Sequence, residues 1–212
     1  MIKSGTKIGK ECEIFTGVII GEKPQDLKYK DEDTNVIVGD NCIIREYSTI
    51  HKGTSDRKVT EVGSNCLLMA YSHIAHDSLL GDNVILSNNV QVGGHVNIEN
   101  NVIIGGSTPI HQFCVIGEYA FIGGGYRIVQ DVPPYIKAMG EPLKYSGVNS
   151  VGLNRNHFSE ELVKSIKKAY RIIYRSENNI QQATKLLEDK NSKLPEIDKI
   201  VQFIKNSKRG II

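Results

Sequence analysis

From Val62 to Ile128 every sixth residue is aliphatic: Val62, Leu68, Ile74, Leu80, Leu86, Val92, Ile98, Ile104, Ile110, Ile116, Ile122 and Ile128. The same beat runs earlier through Ile8, Ile14 and Ile20, and again through Val38, Ile44 and Ile50. A period of six matches neither an amphipathic helix nor simple strand alternation; it is the repeat of a hexapeptide β-helix. Each hexad there supplies one short strand on a face of a triangular prism, and three hexads complete a coil. The aliphatic residue points inward and stacks on its equivalents above and below. The position two before it packs near a corner and must be compact, as Cys12, Val18, Val36, Cys42, Ser48, Thr60, Cys66, Ser72, Ser78, Val84, Val90, Val96, Val102, Thr108, Cys114 and Ala120 are. Tyr126 breaks this rule near the end of the run.

Two polar stretches interrupt the beat, 22–35 (EKPQDLKYKDEDTN) and 55–61 (SDRKVTE), and read as loops extruded from the prism, where binding residues tend to sit. After Pro133-Pro134 the hexads stop. Phe158 to Ser176 reads as an amphipathic helix with Leu162, Ile166, Ala169 and Ile173 on one stripe. Ser159 is its expected N-cap, followed by Glu160 and Glu161 at the positive helix end. Two shorter helices are expected around 178–190 and 195–207. The pattern therefore predicts an all-β parallel β-helix over 1–134, with its two loops, and an α-helical region over 135–212.

Composition changes this picture in two places. The four cysteines all fall in the compact-residue register and form no CxxC pair, so they are expected to pack as reduced thiols. The chain holds 26 basic and 24 acidic residues, which argues against nucleic acid as the main partner. Residues 135–212 hold 15 basic and 8 acidic residues, a local excess that suits an acidic partner or a solvated lysine-rich helical surface. No signal peptide and no apolar run long enough to span a membrane is apparent, and a cytoplasmic protein is expected.

The candidate chemistry lies in SHIAHD (72–77). Residues three hexads apart stack at the strand spacing of about 4.8 Å. Counting on from His76 gives Gly94 and Gln112, with His95 and His111 beside them, so three scattered motifs share one edge of the prism. A second column, Ala70, Asn88, Gly106 and Gly124, leaves room for a slender ligand. Three readings of this edge stay open: a catalytic groove, a zinc site built by His76, His95 and His111 in the manner of a γ-class carbonic anhydrase, and a ligand-binding scaffold without turnover. Gln112 and two glycines suit an extended ligand better than a metal.

The strings GEKPQDLKY, IREYSTIHKGT, LLMAYSHIAHD, GGHV, IHQF, QDVPPY and GVNSVGL, with SKRGII at the C-terminus, closely resemble bacterial UDP-N-acetylglucosamine O-acyltransferases from about residue 14 onward. The resemblance implies a left-handed β-helix with a helical C-terminal region, a homotrimer with sites between subunits, and the first step of lipid A synthesis. UDP-N-acetylglucosamine would be the acceptor, and acyl carrier protein the donor. It implies no cofactor beyond the 4'-phosphopantetheine arm of the donor. His76 would be the general base, Asp77 its orienting partner and the Gly94 amide the oxyanion donor. Gln25, Asp26, Lys28 and His73 would contact the nucleotide sugar, and His95, His111 and Gln112 would continue the groove. Asn149 and Arg155 match positions at the uridine and phosphate end, and Gly124 the position that governs acyl length. Val151, Asn156 and His157 depart from the family's pattern near that end. Relatives begin several coils earlier, so the first coil is expected to present a bare edge. Some relatives acylate a 3-amino sugar, which the same base could serve.

Overall fold

A computed structural model describes residues 1–189 and 194–212. The described residues form a left-handed parallel β-helix followed by a predominantly helical C-terminal region. Short strands run from Thr6–Ile8 to Phe121–Ile122, one per hexad, and stack into three faces. Face one is led by Thr6–Ile8, face two by Glu13–Ile14 and face three by Ile19–Glu22. Pairing carries each residue onto its partner three hexads on, as in Leu79↔Asn97, Ile85↔Ile103 and Gln91↔Pro109.

All twelve aliphatics from Val62 to Ile128 are at most 4% exposed, and they form the axis of the prism. Burying each contributes about 1.5–3 kcal/mol, repeated along the stack, against the chain entropy lost on winding. Ile14, in the edge strand of face two, is 37% exposed. Cysteines 42, 66 and 114 are buried, and the Cys12, Cys42 and Cys66 thiols donate to the carbonyls of Gly39, Gly63 and Gly81, so this column packs as read.

Three boundaries differ from the pattern. The stretch 55–61 is only partly extruded, because Val59–Val62 is a strand of face one, held by Glu61↔Leu79. The stretch 135–212 is not helical from its start. Ile136–Met139 adds one more parallel strand to face two, and Lys144–Val148 then folds back antiparallel upon it. These strands lack the hexad beat, so a six-residue period could not disclose them. Helix α1 (Ser150–Arg155) follows, unforeseen because six residues carry too little periodicity.

Helix α2 (Glu160–Arg175) starts as expected, with the Ser159 side chain accepting from Leu162 N at 3.2 Å. Its buried stripe is Val163, Ile166, Ala169, Tyr170 and Ile173, with Leu162 only half-buried at the margin. Helices α3 (Ile180–Asp189) and α4 (Pro195–Asn206) complete the region; Lys190, at the end of the 178–190 stretch, lies outside the described residues. The last residues return to the coil, where Ile211 bridges Asp131 and Ile212 N donates to Asp131 O.

Candidate active site

The corner between faces three and one carries the site. His95 N donates to His76 O at 3.0 Å and Phe113 N to Gly94 O at 3.1 Å, so three successive coils stack the pairs His76–Asp77, Gly94–His95 and Gln112–Phe113. Asp77, His95 and Phe113 occupy the left-handed corner position, with φ of 58°, 60° and 65°. Elsewhere the same position is filled by Asn41, Asn65, Asn83, Asn89 and Asn101, the side chain that tolerates it best, and also by Glu11, Tyr47, Tyr71, Ser107 and Tyr119. A carboxylate, an imidazole and a phenyl ring there cost some backbone energy, as the tyrosines at other corners do. The regular Asn spacing was the sequence signal for these corners.

Asp77 is fully buried and accepts four hydrogen bonds. Thr54 supplies two, N to Oδ1 at 2.9 Å and Oγ1 to Oδ2 at 2.7 Å. Arg57 N donates to Oδ1 at 3.2 Å, and His76 Nδ1 lies 2.8 Å from Oδ2. Burial by itself would raise the Asp77 carboxyl, but the bonds from Thr54, His76 and Arg57 outweigh it and hold the group below its ordinary value. An ionised Asp77 can only accept, so Nδ1 of His76 carries the proton and Nε2 keeps its lone pair for the groove. A Cβ on Gly94 would stand 2.6 Å from His76 Cε1 and 2.7 Å from Nε2, so glycine is required by the ring's close approach. The Gly94 amide makes no hydrogen bond among the described residues.

His95 stands across the corner, its ring edge-on to His76 at 5.1 Å and stacked on Phe113 at 4.6 Å. Its Nε2 lies 3.6 Å from Asp77 Oδ2 and its Nδ1 3.4 Å from Asp56. Burial lowers its pKa. On face three His73 bonds Thr49 Oγ1 at 2.7 Å and meets the buried His51 edge-on at 4.7 Å. Burial, then the neighbouring His51 and His76, push His73 down to about 4. His51, whose buried Nδ1 has no hydrogen-bond partner among the described residues, was not singled out from the sequence, and neither were Thr54, Asp56, Arg57 or Phe113. Only the position of three of them in or beside an extruded loop hinted at a role.

Two grooves meet at His76. One, of about 300 Å³, runs over face three past Gln25, His51, His73, Gln91, Gly94 and Gln112. The other, of about 480 Å³, lies under the 22–35 loop with Gln25, Asp26, Lys28, His95 and Phe113 in its wall. Of the expected residues, Gln25, Asp26, Lys28, His73, His76, Gly94, His95 and Gln112 therefore come together.

The others do not join them within the chain. His111 is exposed, with Nδ1 on the Gln112 carbonyl at 3.1 Å, and lines neither groove. Asn149 is buried and committed to structure: it caps α1 by accepting from Gly152 N and donates to Tyr119 O at 2.9 Å. Arg155 is exposed at the end of α1, where Val151 is also exposed, Asn156 forms the C-cap and His157 takes a left-handed φ of 62°. Gly106 and Gly124 stack upon each other at the corner between faces two and three, where a Gly124 Cβ would meet Gly106 O at 3.0 Å. The two glycine columns thus flank face three from opposite edges.

The zinc reading needs amending. Among the described residues the clustered set of possible metal ligands is His76, Asp77 and His95, without His111. The short His76–Asp77 contact is a proton-bearing hydrogen bond, and Thr54 holds the same Asp77 oxygen. That donor set fits an oriented base better than an open metal site.

A hexapeptide prism with a carboxylate-oriented imidazole facing an open groove suits base-assisted group transfer. Profiles agree: the bacterial transferase hexapeptide repeat matches residues 60–94, and domain 2 of UDP N-acetylglucosamine O-acyltransferase matches residues 131–212. The acyl-[acyl-carrier-protein]–UDP-N-acetylglucosamine O-acyltransferase of Syntrophobacter fumaroxidans is 44% identical over 214 residues, covering 100% of this chain and 83% of the relative. The Pseudomonas entomophila protein of the same name is 42% identical, covering 95% and 79%. The crystal structure of the UDP-N-acetylglucosamine acyltransferase LpxA from Bacteroides fragilis superimposes with a TM-score of 0.97 at 46% identity, over 100% of this chain and 83% of that one. The chain belongs to the UDP-N-acetylglucosamine O-acyltransferase family.

Proposed function

We propose that the chain transfers a 3-hydroxyacyl group from acyl carrier protein to the 3-hydroxyl of UDP-N-acetylglucosamine, the first step of lipid A biosynthesis. The observation that carries the mechanism is the His76–Asp77 dyad, 2.8 Å across, with Nε2 directed against Gly94. His76 Nε2 takes the proton of the sugar hydroxyl as its oxygen attacks the thioester carbonyl. Asp77 stabilises the imidazolium that forms. The unpaired Gly94 amide donates to the carbonyl oxygen as negative charge develops there. Collapse of the tetrahedral intermediate breaks the carbon–sulfur bond, and the pantetheine sulfur leaves with the proton returned by His76. No group other than the pantetheine arm carried by the donor is needed.

Gln25, Asp26, Lys28 and His73 hold the sugar nucleotide on this reading, and His95 and Gln112 line its path. His111 and Arg155, both exposed, would act from a neighbouring subunit of a homotrimer. Face two supports such packing, for its outward side chains Ile43, Leu67, Ile85, Ile103 and Phe121 form an apolar ladder that solvent reaches. No helix among the described residues is long and apolar enough to cross a membrane, in keeping with a cytoplasmic enzyme. Mass spectrometry of products from UDP-N-acetylglucosamine and a panel of 3-hydroxyacyl carrier proteins tests the reaction. His76→Ala should abolish the acylated product with assembly intact; product formed at the wild-type rate removes His76 from the role.

A further inference from the structure

Beyond the stacked pair His95–Phe113, on the side away from the 22–35 loop, lies a separate cavity of about 240 Å³ over face one, closed by the C-terminal tail. Three cationic side chains line it, Arg57, Lys208 and Arg209, against one carboxylate, Asp131. Asp131 is already engaged, accepting from Val115 N at 2.8 Å and from Ser207 Oγ at 2.6 Å. Asp56 lies on His95 but does not line the cavity.

The two arginines are pre-set. Arg57 donates through one terminal nitrogen to Asp77 O and Asn97 Oδ1, both at 2.8 Å, and its Nε and second terminal nitrogen make no bond among the described residues. Arg209 grips Val129 O through Nε and one terminal nitrogen at 3.1 Å, leaving its other nitrogen out of that contact. The Lys208 ammonium has no ion pair among the described residues. Guanidinium groups anchored by one edge, with the other free, lose little further entropy on gripping an anion, and their fork matches phosphate oxygens.

We propose that this cavity is a phosphate subsite, seating the phosphodiester or diphosphate of a substrate whose reacting end lies at His76. It rests on the acyl-transfer reading only for that substrate's identity; the binding of a phosphate does not. Both candidate sources, the phosphodiester of the donor's pantetheine arm and the diphosphate of the sugar nucleotide, present the same chemistry. Arg57 makes the subsite more than a surface patch, because the residue that would grip the anion also holds the backbone of Asp77.

Lys208→Glu, and separately Arg209→Gln, should be compared with Lys164→Glu, a control on the outer surface of α2. The first two are expected to raise one KM about tenfold with little change in kcat, while the control changes neither. A raised KM for acyl-phosphopantetheine freed from its carrier protein assigns the subsite to the donor; a raised KM for UDP-N-acetylglucosamine assigns it to the acceptor. Unchanged KM values in folded protein, or an equal effect of the control, overturn the proposal. Should the wild type prove inactive, calorimetric titration with inorganic pyrophosphate decides the matter without turnover. Binding that both cavity variants weaken and Lys164→Glu does not supports the subsite, and equal or absent binding rejects it.

Discussion

Asp77 combines complete burial, a left-handed backbone and four hydrogen-bond donors, and Thr54 provides two of the four. Removing the Thr54 hydroxyl lets burial reassert itself on the Asp77 carboxyl. Thr54→Val should therefore move the acid limb of kcat/KM to higher pH and cut kcat roughly tenfold, whereas Thr54→Ser restores both. A pH–rate profile of the two variants checks this. His73 gives a second residue-scale test. Its folded pKa of about 4 lies below the ordinary histidine value, so the unfolded chain binds the extra proton first as pH falls. Stability is thus undiminished above about 6.5 and falls by up to about 3 kcal/mol as pH drops toward 4. Burial also lowers His51 and His95, and the depressed Asp77 carboxyl loses its contribution only at still lower pH, through its folded value. Urea unfolding at pH 7 and 4.5 should show the fall, with a smaller one in His73→Gln. The stacking of His76, Gly94, His95 and Gln112 on one edge was legible from spacing alone, whereas His51 was not singled out and His111 lines neither groove. Thr54 and Arg57 were not legible either, since a loop residue reaching sideways to a neighbouring coil leaves no periodic trace.

At the level of strands and helices, the hexad beat located almost every inward residue because each repeat makes the same demand: an aliphatic on the axis and a compact residue before it. Ile104→Ala, deep in that stack, should cost about 2–5 kcal/mol in denaturant unfolding. Asn101→Val should cost about 1–2 kcal/mol through its left-handed corner, with no cavity formed. Gly94→Ala is a packing change of another kind. Its methyl displaces the His76 ring, so acyl transfer should fall at least a hundredfold while the melting temperature moves little. The strands Ile136–Met139 and Lys144–Val148 escaped the pattern for a physical reason. One face of their sheet packs under helices, where requirements are set by α2 and not by a coil above.

Across the whole molecule, several contacts join the coil to the helical region, among them Lys199 Nζ on Glu118 Oε2 and Asn149 Nδ2 on Tyr119 O. The Tyr170 hydroxyl donates to Pro134 O, and the tail from Ser207 to Ile212 is tied to Asp131 and Val129. Assembly and handedness were beyond any period, since six-residue spacing is blind to the sense of winding and to neighbouring chains. The parallel ladder itself contains nothing that says how many coils there should be, because every coil presents its successor with the surface it received. Lys144–Val148 ends this by running the opposite way, offering the next strand a ladder of a different geometry. In the terms of polymer growth it is a chain terminator, and the height of the prism is decided by a stop signal instead of a count. An inserted coil of three whole hexads should be absorbed with the fold intact. A single extra hexad should turn everything above it by one face, carrying the C-terminal tail away from the edge that holds His76.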